Sequence, residues 1–215
     1  MTWARDNLTD ILQLALQHVW LSGVPLIIGL LVALPLGWLA TRYGWVRQPL
    51  VIGSGLLYTI PSLALFILMP LILGTQIISP VNVVVAMTLY TVALLVRTVV
   101  DGLSSVPDDV RQAATAMGIG RVRRLLTVEL PLAVPVIASG LRVAAVSNVS
   151  IVSVAALIGM PQLGTLFTDG FSTGFMDPIV VGIVACVLLA FLFDLVINLV
   201  ARALTPWRRG AEARA

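Results

Sequence analysis

Side chains able to do chemistry are few in this 215-residue chain, and they are not grouped as catalysis requires. There is one histidine, His18, and one cysteine, Cys186. Cys186 lies inside an apolar run and reads as a small buried hydrophobe without an intrachain disulfide partner. His18 lies beside Trp20 and reads as an interfacial side chain rather than a ligand. No cluster of His, Cys, Asp and Glu has metal-binding spacing, and no G-x-x-x-x-G-K-[S/T] phosphate loop occurs. The ordered polar residues fall instead between Pro107 and Pro135, PDDVRQAATAMGIGRVRRLLTVELPLAVP, which carries Arg111, Arg121, Arg123 and Arg124 between nearly uncharged segments. Within it, a helix over Val110–Met117 opens on a proline and two acids, where unpaired N–H groups favour both. Gly118 and Gly120 then allow a sharp turn. Ala113 and Ala114 leave one helix face nearly bare, so a second protein can approach its backbone. A short helix, a glycine turn and a second helix running to Leu130-Pro131 form a docking knob. The chemistry is recognition between protein surfaces.

The elements that carry this knob are membrane spans. With 59% hydrophobic and 11% charged residues and a mean hydropathy of +1.05, the composition excludes an ordinary soluble globular domain. The net charge of +3 and isoelectric point near 9.8 have a topological origin. All thirteen basic residues are arginine, and no aromatic residues interleave a basic face as nucleic-acid binding would require.

Residues 1–10 are polar and of mixed charge, unlike the basic start of a signal peptide. The first span is expected over Val19–Ala40, with Leu12–Leu16 as an amphipathic lead-in and Trp20 and Trp38 near its ends. Pro25 and Pro35 would kink it, which neighbouring helices accommodate. No charge occurs between Arg47 and Arg97. That length fits two spans, Leu50–Leu73 and Val81–Val99, separated by Gly74, Thr75, Gln76 and Pro80. Arg97 and Asp101, four residues apart, have the spacing of a helical ion pair or snorkel separately. The fourth span, Val134–Ile158, is rich in small and polar residues and therefore packs against protein. A loop over Gly159–Pro178 and a fifth span, Ile179–Leu199, complete the chain.

Five spans are oriented by arginine. With the N-terminus outside, Arg5 is alone on the outer side, and the other twelve, Arg42, Arg47, Arg97, Arg111, Arg121, Arg123, Arg124, Arg142, Arg202, Arg208, Arg209 and Arg214, lie on the inner one. The positive-inside rule selects this orientation and a cytoplasmic C-terminus.

Gln112-Ala113-Ala114, three residues, Gly118, nine residues, then Val128-Glu129-Leu130-Pro131 resembles the coupling loop of ABC importer permeases, whose pattern reads Glu-Ala-Ala, Gly, Ile-x-Leu-Pro at the same spacing. Gln112 replaces the family's glutamate, with Asp108 and Asp109 one turn away, and Val128 replaces its isoleucine. The stretches YTIPSLALFILMPLILG (Tyr58–Gly74), ELPLAVPVIASGLRVAAV (Glu129–Val146) and LIGMPQLGTLFTDGF (Leu157–Phe171) look like the permeases for glycine betaine, carnitine, choline and related osmoprotectants.

This resemblance implies an all-α, polytopic fold of the type I ABC importer permease, with residues 1–215 forming a single transmembrane permease domain whose coupling loop covers about 101–133. It implies a multi-pass protein of the cytoplasmic membrane that pairs with a second permease, identical or homologous. Two ATPase subunits lie below and an extracytoplasmic substrate-binding protein above. Such a loop inserts into a groove on the ATPase, with Gln112, Ala113, Ala114, Gly118, Leu130 and Pro131 as the coupling residues. The chain itself would be no enzyme and hold no cofactor, ATP being bound by the partner. A methionine-importer permease is the nearest rival. A non-transporting membrane scaffold is the alternative of another class, although a scaffold has no need of the alanine-alanine-glycine spacing.

A quaternary ammonium ion has no hydrogen to donate, so aromatic faces and weak dipoles must hold it. Tyr58, Phe66 and Tyr90 are candidates for the substrate pathway, with Ser147, Asn148 and Ser150 on the polar fourth span. Asp194 is the one acid well inside a span, and Arg142 is its expected partner, since both lie in the same half of their helices.

Overall fold

The computed structural model describes residues 2–207, and among these every regular element is helical. Arg208, Arg209 and Arg214 of the arginine count lie outside the described residues. A short helix α1, Thr2–Asp6, leads into α2, Leu8–Arg42, so the expected lead-in is continuous with the first span. Helix α5, Pro80–Ser104, begins with a proline at a position that has no use for an N–H. Buried Asn82 closes the preceding hairpin by donating to the carbonyls of Gln76 at 2.8 Å and Ile77 at 3.3 Å.

The expected second span is not one helix. It is α3, Gly44–Tyr58, and α4, Ser62–Leu73, which meet at 104°. Pro61 causes the break, because it lacks an N–H and drives Ile60 out of the helical region. No residue of α3 is buried.

The packing register shows that this bent pair returns the chain across the bundle. A side chain at Gly29 would strike Thr91, and one at Gly37 would strike Val99, so α2 and α5 run parallel at close approach. The chain between them must therefore come back, and α3 with α4 is the only segment available to do so. By length and composition four helices are long and apolar enough to span, and the count is five when the bent pair is taken as one span.

Helix α6 covers Asp108–Ala116 and α7 covers Arg121–Arg124; a π turn over Leu125–Glu129 joins α7 to α8, Leu130–Ser153, which tightens into a 3₁₀ turn over Val154–Ile158. The helical path is thus unbroken from Arg121 to Ile158. Helix α8 runs antiparallel to α5: Asn148 bonds Thr91, and Gly140 abuts Thr98. The expected loop over Gly159–Pro178 instead contains α9, Thr165–Thr173, bounded by Gly159 and Gly174 at positive φ. The last helix, α10, covers Met176–Leu204, longer than expected at both ends.

Lipid tails are as apolar as leucine, so burial alone cannot hold these helices together, and close approach and polar contacts must contribute. The small residues Gly29, Gly37 and Gly140 serve the first. A buried polar chain serves the second. Asn148 Nδ2 donates to Thr91 Oγ1 at 2.9 Å and to the Ser22 carbonyl at 3.2 Å. His18 is wholly buried, not interfacial, with Nδ1 2.9 Å from Gln162 Oε1 and Nε2 3.0 Å from the Val149 carbonyl. Gln162 in turn accepts from the Gly164 N–H and donates to the Ser153 carbonyl. This chain ties α2, α5 and α8 to the segment before α9. Cys186 is half-buried, its sulfur 3.9 Å from Ser153 Oγ.

Candidate functional site

Helix α6 is shaped by its ends. Asp108 and Asp109 occupy its first turn, and the Asp109 carboxylate accepts from the Val110 N–H at 2.9 Å. At the other end the Gly118 N–H donates to Thr115 O at 2.9 Å and the Ile119 N–H to Ala114 O at 3.1 Å. This is a Schellman closure, which puts its glycine in the left-handed region. Gly118 has φ +77°, and nothing lies within 4 Å of where a Cβ would be. Backbone conformation, not lack of room, therefore requires glycine there.

Gln112 and Ala113 face outward together with Gly118, but Ala114 is 1% exposed and packs back into the chain. The expected bare face is thus split, with Ala113 presented and Ala114 letting α6 settle on the helix that follows. Leu130 and Pro131 are half-buried at the root of the loop, where Leu130 joins the core beneath α2 and α5. They sit apart from the exposed tip.

The π turn follows from Pro131. Its ring would collide with the carbonyl four residues back and it has no N–H to donate. The Leu130 N–H accordingly bonds Leu125 O, five residues back. The same turn brings Glu129, 7% exposed, within 2.6 Å of Arg124 Nε. Arg124 Nη1 also donates to Thr115 Oγ1 at 2.6 Å. Thr115, Arg124 and Glu129 therefore lock α6 to the start of α8. Arg111 anchors the knob from the other side, donating through Nη2 to the carbonyl of Leu103 at the end of α5. The role of Glu129 was not apparent from the sequence, where it falls between Val128 and Leu130 of the motif. Its only signal is the five-residue step from Arg124, which faces nothing on an α-helix and closes on a π turn.

The candidate pathway residues divide. Tyr58 and Tyr90 come together at the break in the second span, edge to face, with centroids 5.8 Å apart. The Tyr90 hydroxyl donates to the Ile60 carbonyl and so fixes the bend. Tyr90 is buried behind Tyr58, which is 41% exposed. Phe66 is wholly buried among Leu21, Met69 and Met87 and faces no open space. Asn148 is committed to the interhelical bonds above, Ser147 is half-buried, and Ser150 is exposed. Ser150 shares an open stripe of α8 with Ser139, Val143 and Val146, at helical spacing.

Arg142 and Asp194 form the expected pair, joining α8 to α10. Arg97 Nε lies 3.9 Å from Asp101 with both side chains mostly exposed, an ion pair of little energetic weight.

A sequence model of the family described as "binding-protein-dependent transport system inner membrane component" matches residues 26–210. The osmoprotectant import permease protein OsmW of Salmonella typhimurium is 36% identical over 204 residues, covering 94% of each chain. The glycine betaine/carnitine/choline transport system permease protein OpuCD of Bacillus subtilis is 30% identical, covering 97% of this chain and 90% of its own. Among solved structures, the MetNI methionine ABC transporter in an inward-facing conformation contains a chain that superposes with a TM-score of 0.78 at 21% identity, covering 92% of this chain and 97% of that one.

Proposed function

Because the chain belongs to the family of binding-protein-dependent transport system inner membrane components, we propose that it is the transmembrane permease subunit of an ATP-driven importer for osmoprotectants such as glycine betaine, choline or carnitine. It works in the cytoplasmic membrane as a multi-pass subunit. The observation that carries this reading is the knob on α6. Gln112, Ala113 and Gly118 stand outward on a short helix braced by Arg124 and Glu129 and continuous with a helical path to Ile158. A surface of that kind transmits force, because the brace leaves it no freedom to yield. The 36% identity to an osmoprotectant import permease supports the substrate class over methionine, since likeness to the methionine transporter bears on the fold alone.

In this account the knob seats in a groove of a separate ATPase subunit, on the inner side selected by the arginine count. A second permease completes the pathway and an extracytoplasmic binding protein delivers the substrate. ATP binding draws the two ATPase subunits together and the knobs move with them. The permease pair then passes from inward-open to outward-open, and hydrolysis resets it. The coupling is a difference in affinity: ATP and the loaded binding protein each favour one state. ATP chemistry belongs to the partner, and this chain contributes the lever and the path.

The substrate passes the bend. Irregular backbone at membrane depth is tolerated where it lines a cavity or meets protein. Thr59, Ile60 and Pro61 are exposed in the single chain, and Tyr58 presents its ring beside them. An aromatic face next to the carbonyl end of a half-helix suits a trimethylammonium group. Ser150 lines the path from α8. Phe66 and Asn148 support it from behind.

The test is transport by the assembled complex in proteoliposomes with ATP inside and the loaded binding protein outside. Uptake of glycine betaine, choline or carnitine in preference to methionine is expected. Uptake of methionine alone would replace the substrate class and leave the importer, and co-purification with an ATPase without uptake of any solute would favour a scaffold.

A further inference from the structure

Behind the knob, between it and the end of α2, lies a polar cavity of about 350 Å³. Four arginines, Arg42, Arg111, Arg121 and Arg124, are among the residues that line it, against one acid, Glu129. That carboxylate is already held by Arg124. Arg42 lies over the rings of Trp38 and Tyr43, at 5.8 and 5.2 Å from their centroids. Among the described residues neither Arg42 nor Arg121 has an ion-pair partner. Arg111 Nε is, among the described residues, the one buried side-chain nitrogen or oxygen without a hydrogen-bond partner. Arg111 is paired with Asp108 at 3.4 Å, so two cationic groups, Arg42 and Arg121, line the concavity without a compensating charge.

We propose that this cavity binds the phosphate of an anionic group, and that in the membrane the group is the headgroup of an anionic phospholipid. Guanidinium forks match phosphate oxygens two at a time, and the volume falls within the range of small-molecule clefts. The lipid source follows from the walls. Trp38 and Tyr43 mark the depth where aromatic rings meet headgroups, and juxtamembrane arginine attracts anionic lipid. The bound phosphate would bridge Arg42 on α2 to Arg121 on the loop, fastening the knob to the first span, while Arg111 stays committed to Asp108 and the Leu103 carbonyl. This inference takes from the proposed function only the choice of the inner leaflet.

The test is native mass spectrometry of the full chain with its ATPase partner, released from micelles containing equal phosphatidylglycerol and phosphatidylcholine, with thermal unfolding in inorganic phosphate as a second arm. The double variant Arg42→Gln/Arg121→Gln should lose retained phosphatidylglycerol by about thirtyfold, while Arg97→Gln, outside the cavity, keeps it. Thermal stabilisation by inorganic phosphate that the double variant lacks, with no lipid retained, would uphold the phosphate site and move its source to the cytosol. Equal retention in wild type and double variant, or an equal loss in Arg97→Gln, would overturn the site. So would anion binding by the chain alone that vanishes once the ATPase is attached, because the cavity would then be filled by that protein. None of these outcomes depends on which solute is transported.

Discussion

Arg142 and Asp194 meet across α8 and α10 in a two-pronged pair, Nε to Oδ1 at 2.5 Å and Nη2 to Oδ2 at 2.9 Å. Helix α10 buries few of its residues elsewhere, so this pair is one of the few directional contacts that hold it. Leaving one charge of such a pair without its partner at membrane depth is costly. Asp194→Asn should therefore lower the amount of protein in the membrane several-fold, with little change in KM for the substrate. Immunoblots of membrane fractions and uptake kinetics check this. A raised KM at normal abundance would move the pair from scaffold to pathway.

Glu129 predicts a different defect. Replacing it with Gln keeps the shape and removes the charge that holds Arg124. The lost charge-assisted bond should lower the thermal midpoint by about 3–12 °C. Because the brace between α6 and α8 is slackened, ATP hydrolysed per solute moved should also rise. Both quantities are read on the reconstituted complex. An unchanged ratio with a lowered midpoint would confine Glu129 to stability.

Tyr58 separates an aromatic role from a hydroxyl role. Tyr58→Ala should raise KM for glycine betaine about two- to thirtyfold, the weight of one cation–π contact, and Tyr58→Phe should leave it near wild type. Tyr90→Phe should act otherwise, since it removes the bond to Ile60 that fixes the bend, and lower stability with KM little changed. A Tyr58→Ala variant with unaltered KM would remove Tyr58 from the pathway.

Much of the architecture was legible because a bilayer restricts what a sequence can do. Charge-free lengths and arginine positions marked the spans, and the Gly118 turn was readable because a left-handed residue at a helix end calls for glycine. Asp194 and Arg142 could be paired because an acid at that depth needs a partner. What the sequence hid was direction around each helix. Helix α2 is apolar on nearly every side, so periodicity gave His18 no inward or outward face, and only the packing of Val149 and Gln162 against it reveals its burial. The bend at Pro61 was visible as a proline, but a kink and a 104° break look alike until the helices are placed. Helix α9 was masked by glycines that serve close packing and helix ends: a side chain at Gly164 would strike the Ser153 carbonyl, and one at Gly170 would strike Ile179. Ala114 and Glu129 turned inward for reasons of tertiary contact that the loop's own pattern does not contain.

If α6 transmits ATP-driven motion, a change at Gly118 should interrupt it. At φ +77° other residues cost about 1–2 kcal/mol, asparagine least. The position also has open space around it, so an aspartate disturbs the presented surface and leaves the core intact. The decisive measurement is uptake of radiolabelled glycine betaine by cells without their own osmolyte transporters, expressing this chain with its ATPase and binding protein, at matched membrane abundance of wild type and Gly118→Asp. ATP-dependent accumulation with wild type and none with Gly118→Asp is the predicted result, with Gly118→Asn in between. Normal accumulation by Gly118→Asp would contradict the account.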